Sequence, residues 1–379
     1  MDPEPARERL RLLWVATKPP WPPVDGGRLL MQVSVEALED HGVEVEVVAP
    51  EGSALRSWAR AALRARREDL PLPVARHRDP ALQERVAQAV RRERPAAVHV
   101  EQIQAVPQAA PARAAGLPLV VRAQNVESDL WRQAARGVAR GVVGRLLSRR
   151  FARWEGEAVA QADLTIALTE DDRVQLEALA AGRGRVRRLT VPFPPVLPAG
   201  EPLAGAPAVS LFVGRGWAPS AEGGSWFVRR VWPEVLRRLP EARLHVFGEI
   251  GVARDRPGVT CRAAPEESRS AFPRAGILVV PLRVASGIRM KVLEAWARGL
   301  PVVATSRAVR GLEGLSGREW LEADDPRGLA EAIAAAAGAP ELRGRLVEGG
   351  RRRLAASHAP ERFAKDYAAA LAGLSIAGR

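Results

Sequence analysis

The chain has 379 residues, 47% of them apolar and 27% charged, which excludes a disordered chain and supplies material for two cores. It carries 57 basic against 44 acidic residues, a net charge of +13, and lysine occurs only at Lys18, Lys291 and Lys365, so nearly all the positive charge is arginine. Such a surface draws phosphates, nucleotides and anionic membranes; the single cysteine, Cys261, and five scattered histidines without paired spacing exclude a disulfide framework and argue against a zinc site. No apolar stretch approaches the roughly 18 residues of a membrane span, and the charged segment Met1 to Leu10 has no apolar signal region. The expectation is a cytoplasmic protein.

The first predicted strand, Leu10 to Ala16, runs into a Pro- and Gly-rich turn, Lys18 to Gly27. A helix follows from about Arg28 to Asp40, with Gly42 just past its end as a stop signal. Val43 to Val48 is the second strand, so the chain opens as strand, glycine turn, helix, strand: the start of a doubly wound sheet. Ala96–Val100, Leu117–Arg122 and Leu164–Ala167 are short, β-branched runs that suit buried parallel strands. Ser128 to Gln161 reads as one long amphipathic helix, apolar at Val138, Val142, Val143, Leu146, Leu147 and Phe151, with arginines from Arg132 through Arg140 to Arg153. The proline-rich stretch from Pro192 to Pro207 reads as the domain linker. A second series begins with a strand at Val209–Val213, a helix at Ser225–Leu239 and strands at Arg243–Phe247 and Gly276–Pro281. A helix at Met290–Arg298 and a strand at Pro301–Ala304 complete it. Two such halves imply ligands bound outside the carboxyl ends of the strands, in a central cleft.

The segment Val279 to Thr305 carries the clearest chemistry. A strand ends at a Ser286-Gly287 turn, a helix begins, and the free N–H groups at such a helix start bind phosphate oxygens. Arg289 and Lys291 would offset the charge of a diphosphate, and Glu294, about two turns on, can accept hydrogen bonds from a ribose diol. Asp171-Asp172 and Asp324-Asp325 read as helix-start or turn signals rather than metal ligands. His99, inside an apolar strand, reads as a core residue.

The run GIRMKVLEAWARGLPVVAT resembles the donor-site signature of family 4 glycosyltransferases of the GT-B fold, and in particular the bacterial exopolysaccharide branch. KPPWPPVDGGRLL, RAQNVESDLWR, ALTEDDRVQL, FVGRGWAPSAEGGSWFVRRVWPEV and SRAVRGLEGL resemble further family segments in the right order. The resemblance implies an α/β protein with two Rossmann-like domains: residues 1–198 binding the acceptor, residues 199–357 binding the nucleotide-sugar, and a helix at 358–379 returning to the first domain. It implies retaining, metal-independent transfer of a sugar from a UDP- or GDP-type donor, with no cofactor, in polysaccharide biosynthesis. Arg215 and Lys291 would be the catalytic cations; Ser286, Gly287, Ile288 and Arg289 would line the phosphates, Glu294 would hold the ribose and Gly27 would approach the donor. Lys18, Gly26, Glu101, Gln124, Asn125 and Glu127 would meet the acceptor, a glycan or lipid-linked sugar, although Glu101, Gln124, Asn125 and Glu127 also suit helix caps. The sequence departs from the family pattern where Ser286 replaces the first Glu of a Glu-x7-Glu pair and Gln124 replaces a histidine. The alternative is therefore a non-catalytic homologue that binds nucleotide or partners. The basic helix suggests peripheral contact with an anionic membrane. The arginines are spread over the chain rather than gathered in a stripe with aromatics, so no nucleic-acid partner is expected.

Overall fold

The computed structural model describes residues 10–51, 58–137, 142–251 and 256–375. Of the sequence expectations, the N-terminal segment before Leu10, Val138 and Arg140 lie outside the described residues. The chain divides into two compact units, residues 1–20, 31–191 and 360–379 in the first, and 21–30 and 192–359 in the second.

The first unit contains β1 (Arg11–Ala16), α1 (Gly26–Glu39, whose first turn belongs to the second unit), β2 (Glu44–Val48), α2 (Trp58–Arg67), α3 (Leu72–His77) and α4 (Pro80–Glu93). It continues through β3 (Ala97–Glu101), α5 (Ala110–Ala114), β4 (Leu119–Ala123), α6 (Glu127–Gly137), α7 (Val142–Gln161), β5 (Leu164–Ala167), α8 (Glu170–Leu179) and β6 (Val186–Arg188). Its six strands form one parallel sheet in the order β2-β1-β3-β4-β5-β6. The period-two alternation of a strand decides what each face buries. Leu13 and Val15 of β1 join Val98, Val100 and Val121 in a core with α4 and α8, while Leu12, Trp14 and Ala16 point the other way, toward α1.

The second unit contains β7 (Ala208–Gly214), α9 (Ala218–Trp226), α10 (Trp232–Arg238), β8 (Arg243–Gly248), β9 (Val259–Arg262), β10 (Ile277–Val280) and α11 (Met290–Ala297). Then come β11 (Val302–Ala304), α12 (Ser306–Val309), β12 (Leu321–Glu322), α13 (Pro326–Gly338) and α14 (Pro340–Ser357). Its sheet is also parallel and six-stranded, in the order β12-β11-β10-β7-β8-β9. The last helix, α15 (Pro360–Ser375), lays Phe363, Ala364, Tyr367, Ala370 and Leu371 into the α1 face of the first unit's sheet.

Two expectations are corrected. The single helix from Ser128 to Gln161 is two, α6 and α7, packed against each other. The helix placed at Ser225–Leu239 starts seven residues earlier, as α9, and passes through a π turn at Phe227–Val231 into α10. The two units divide near residue 191, at the start of the proline-rich stretch. The proline-rich stretch is tied to the second unit by the Phe193 N–H to the His358 carbonyl (2.8 Å), Leu197 to Ala297 (3.0 Å) and Gly200 to Phe272 (2.8 Å). Asp325 acts as the cap expected of it, accepting from the N–H groups of Arg327 and Gly328 at the start of α13.

Candidate functional site

In the second unit the carboxyl ends of β7 and β10 carry the donor segment. After β10 the chain turns through Gly287, whose φ of +69° is the left-handed conformation that favours glycine. Arg289 then occupies the position just before α11. The guanidinium of Arg289 is buried and donates to three backbone carbonyls: Ser286 (2.9 Å), Ala308 (2.8 Å) and Arg310. Its donors are turned to the backbone of its own loop and of α12, so it holds the shape of the Ser286–Ile288 turn.

Lys291, one residue into α11, behaves differently. Its Nζ donates to the carbonyl of Phe212 (2.6 Å) and to Ser220 Oγ (3.3 Å), and lies 5.6 Å from the centre of the Phe212 ring. It thereby reaches the carboxyl end of β7, two residues before the Gly214–Gly216 turn that bears Arg215. None of these partners is a carboxylate. Burial alone pulls the ammonium down to a pKa of about 8, so it is charged at neutral pH but poorly solvated. Arg215 is exposed and donates to the Ala264 carbonyl (3.0 Å).

Glu294 is only 2% exposed. Its carboxylate pairs with Arg298 (2.8 Å) and accepts from the Ser268 hydroxyl. Burial raises its pKa, while Ser268 and Arg298 act against that rise. Arg298 stands one helical turn on, within the motif, whereas Ser268 lies 26 residues away, on a separate turn. The first glycine turn also meets this site. Asp25 caps α1 by accepting from the Arg28 N–H (3.0 Å), which starts the helix at Gly26 rather than near Arg28. A Cβ on Gly26 would stand 3.7 Å from that of Met290, at the head of α11. Gly26 and Gly27 thus belong with the donor segment, whereas Lys18, partly buried after β1, belongs to the first unit.

The acceptor-side candidates sit at the carboxyl edge of the first sheet. Glu101 is fully buried and ion-paired to Arg122 (2.6 Å), so its carboxylate is held inside the core. Arg122 also donates to Ser34 Oγ (2.7 Å) and lies 4.9 Å from the centre of the Trp14 ring. Trp14 stacks on His99 at 3.6 Å, and His99 Nδ1 meets the Tyr367 hydroxyl of α15 at 2.6 Å. His99 is a core residue, as its strand position suggested.

Gln124 donates to Glu101 (2.9 Å) and accepts from Gln102 (3.0 Å), whose amide in turn meets Thr17. Asn125 donates to the Glu127 carboxylate (3.2 Å), which Gln104 also approaches; burial raises the pKa of Glu127 and these two amides oppose the rise. The cap at this helix start comes from a residue the sequence did not mark. Glu155 of α7 accepts from the N–H groups of Glu127 (2.8 Å) and Ser128 (3.0 Å), and burial pushes its carboxyl up to about 7. Among the described residues no three His, Cys, Asp or Glu side chains gather as a metal ion requires, and no helix is long and apolar enough to cross a membrane.

Residues 26–192 match the model of the glycosyl transferase 4-like domain and residues 207–338 that of glycosyl transferases group 1. No curated protein sequence matches the chain. Among solved structures it is similar to sucrose-phosphate synthase from Thermosynechococcus elongatus, with 18% identity, a TM-score of 0.71 and coverage of 98% of this chain and 100% of that one. It is also similar to HepE of Anabaena in complex with UDP-glucose, with 12% identity, a TM-score of 0.64 and coverage of 96% and 100%. A glycosyltransferase from Rickettsia africae matches with 9% identity, a TM-score of 0.60 and coverage of 97% and 99%. The two family models together span most of the chain and the fold agrees along its whole length, so the chain belongs to the group 1 glycosyltransferases of the GT-B fold.

Proposed function

We propose that the chain transfers a sugar, with retention and without a divalent metal, from a nucleoside diphosphate sugar to a glycan, lipid-linked or small-molecule acceptor in polysaccharide assembly. The observation that carries this reading is Lys291: a cation held at the end of β7 by a carbonyl and a hydroxyl, with no counter-charge among the described residues, beside a glycine turn and a helix start. A diphosphate would supply that counter-charge. In this reading the turn Ser286–Ile288 binds phosphate oxygens, Arg215 swings onto the leaving diphosphate, and Glu294, oriented by Arg298 and Ser268, accepts from the ribose diol. HepE has been solved with UDP-glucose and with UDP, which supports a uridine donor here. Gln124, Asn125, Glu127 and Lys18 meet the acceptor on the first unit.

Glu294→Gln is the direct test of the donor side. The ribose is held alike in ground and transition states, so the variant is expected to weaken binding and spare turnover. Loss of a charged hydrogen bond costs about 1.5–3 kcal/mol, roughly tenfold or more in Kd. Calorimetric titration with UDP-glucose reads it; an unchanged Kd removes Glu294 from the site. EDTA is expected to leave turnover intact, and activity lost to the chelator overturns the metal-free mechanism. A second reading, binding without transfer, is favoured by Ser286 standing where the family pattern has a glutamate. A protein that binds UDP-glucose yet releases no UDP from it, with or without acceptors, would establish that reading instead.

A further inference from the structure

Ten large apolar side chains stand in solvent among the described residues, and five of them fall on three helices of the first unit: Trp58 and Leu63 on α2, Trp131 on α6, Leu146 and Leu147 on α7. Single exposed apolar residues need no explanation, but a contiguous group marks an interaction surface. These helices adjoin. α6 packs on α7, and Arg150 of α7 pairs with Asp69 (2.6 Å) and donates to the Ala65 carbonyl (3.4 Å) at the end of α2. Leu146 lies one turn before Arg150, on the same side of α7. Leu63 and Leu146 are 67% and 66% exposed, more than any other large apolar side chain described. Trp58 is half exposed, with the Arg76 guanidinium 4.2 Å from the centre of its ring. Among these residues stand Arg60, Arg66 and Arg67 on α2 and Arg145 and Arg149 on α7, all exposed and without an ion pair among the described residues.

We infer that this face docks on an anionic lipid surface. A bilayer accepts both halves of its chemistry: arginines pair with headgroup phosphates while leucine and tryptophan enter the boundary beneath. A second copy of the same face would set five arginines against five. A nucleic acid would answer the charges and leave Leu63, Leu146 and Leu147 in water. The surface differs from the basic helix expected from sequence. Arg132 and Arg150 are engaged by Asp129 and Asp69, and α2, which the sequence reading did not single out, supplies half of the face. Docking does not rest on the donor assignment and is measured without nucleotide.

The full chain is sedimented with vesicles of phosphatidylcholine, alone or mixed with phosphatidylglycerol. It is expected to bind only the mixed vesicles and to release as salt rises. Arg145→Glu with Arg149→Glu is expected to weaken binding about tenfold or more, and Leu146→Ser with Leu147→Ser to weaken it severalfold. All four side chains are exposed, so circular dichroism should be unchanged. Arg229→Glu with Arg230→Glu, on exposed positions of the second unit, changes the net charge equally and is expected to bind as the wild type does. The inference is overturned if the wild type ignores phosphatidylglycerol vesicles at low salt, or if the control pair weakens binding as much as the α7 pair. It is also overturned if the leucine variant dissolves a wild-type dimer while its vesicle binding is unchanged.

Discussion

Lys291→Ala is expected to lower turnover by about 10²–10³-fold, the usual effect of removing one preorganised donor from developing negative charge. The magnitude follows from where the ammonium sits. Its charge is kept by a carbonyl and a hydroxyl that neutralise none of it, in surroundings that hold its pKa near 8. Negative charge grows on the diphosphate as the glycosidic bond breaks, so the attraction is greater in the transition state than in the bound substrate. The variant should therefore lose kcat more than it raises KM. Lys291→Arg should not restore the rate, because a planar guanidinium cannot replace a compact ammonium between Phe212 and Ser220. The pH dependence has a defined sign. Free protein carries Lys291 charged below about 8 at a cost in stability, and that cost is relieved as pH rises from about 8 toward the ordinary lysine value. A bound diphosphate removes the cost, so UDP should raise Tm more at pH 7 than at pH 9. An equal Tm shift at both values, or a wild-type rate from Lys291→Ala, would remove Lys291 from the donor site.

The strands were legible because burial on both faces leaves apolar β-branched runs, and the glycine turn followed by a lysine-bearing helix marks α11 for the same local reason. What escaped the sequence depends on residues far apart. His99 and Tyr367 are separated by 268 positions, and nothing in either neighbourhood announces the other. Arg122 did carry a signal, a charge inside the apolar run of β4, which calls for a buried partner. Arg289 binds the carbonyls of Ala308 and Arg310, contacts that no pattern within its own motif announces. The helices α2 and α4 are built on alanine and arginine with few large apolar residues, so their periodicity is faint although Ala61, Ala65, Val86 and Ala89 are buried.

Glu101→Gln is expected to cost about 3–5 kcal/mol of stability, because it leaves the Arg122 guanidinium buried without a counter-charge. The loss should fall on the first unit, since the network joins β3 and β4 to α1 through Ser34 and to α15 through His99 and Tyr367. Adding Arg122→Met should recover much of it, as removing both charges spares their desolvation. The same network sets an acid limit. Burial holds His99 down to about 4, opposed by its contact with Glu101, so the folded protein refuses a proton that the unfolded chain takes near 6.5. The His99 contribution is complete above about 6.5 and is lost as pH falls toward 4. Glu155 acts with the opposite sign: raised to about 7, it favours the folded state at low pH, and that contribution is lost as pH rises from about 4.5 to 7. In the wild type the two slopes oppose each other between about pH 4.5 and 6.5. Urea denaturation across this range should separate them, Glu155→Gln becoming less stable as pH falls and His99→Gln more stable. Parallel curves for the two variants would overturn the assignment of these slopes, and a Glu101→Gln protein as stable as the wild type would show that Arg122 finds another partner.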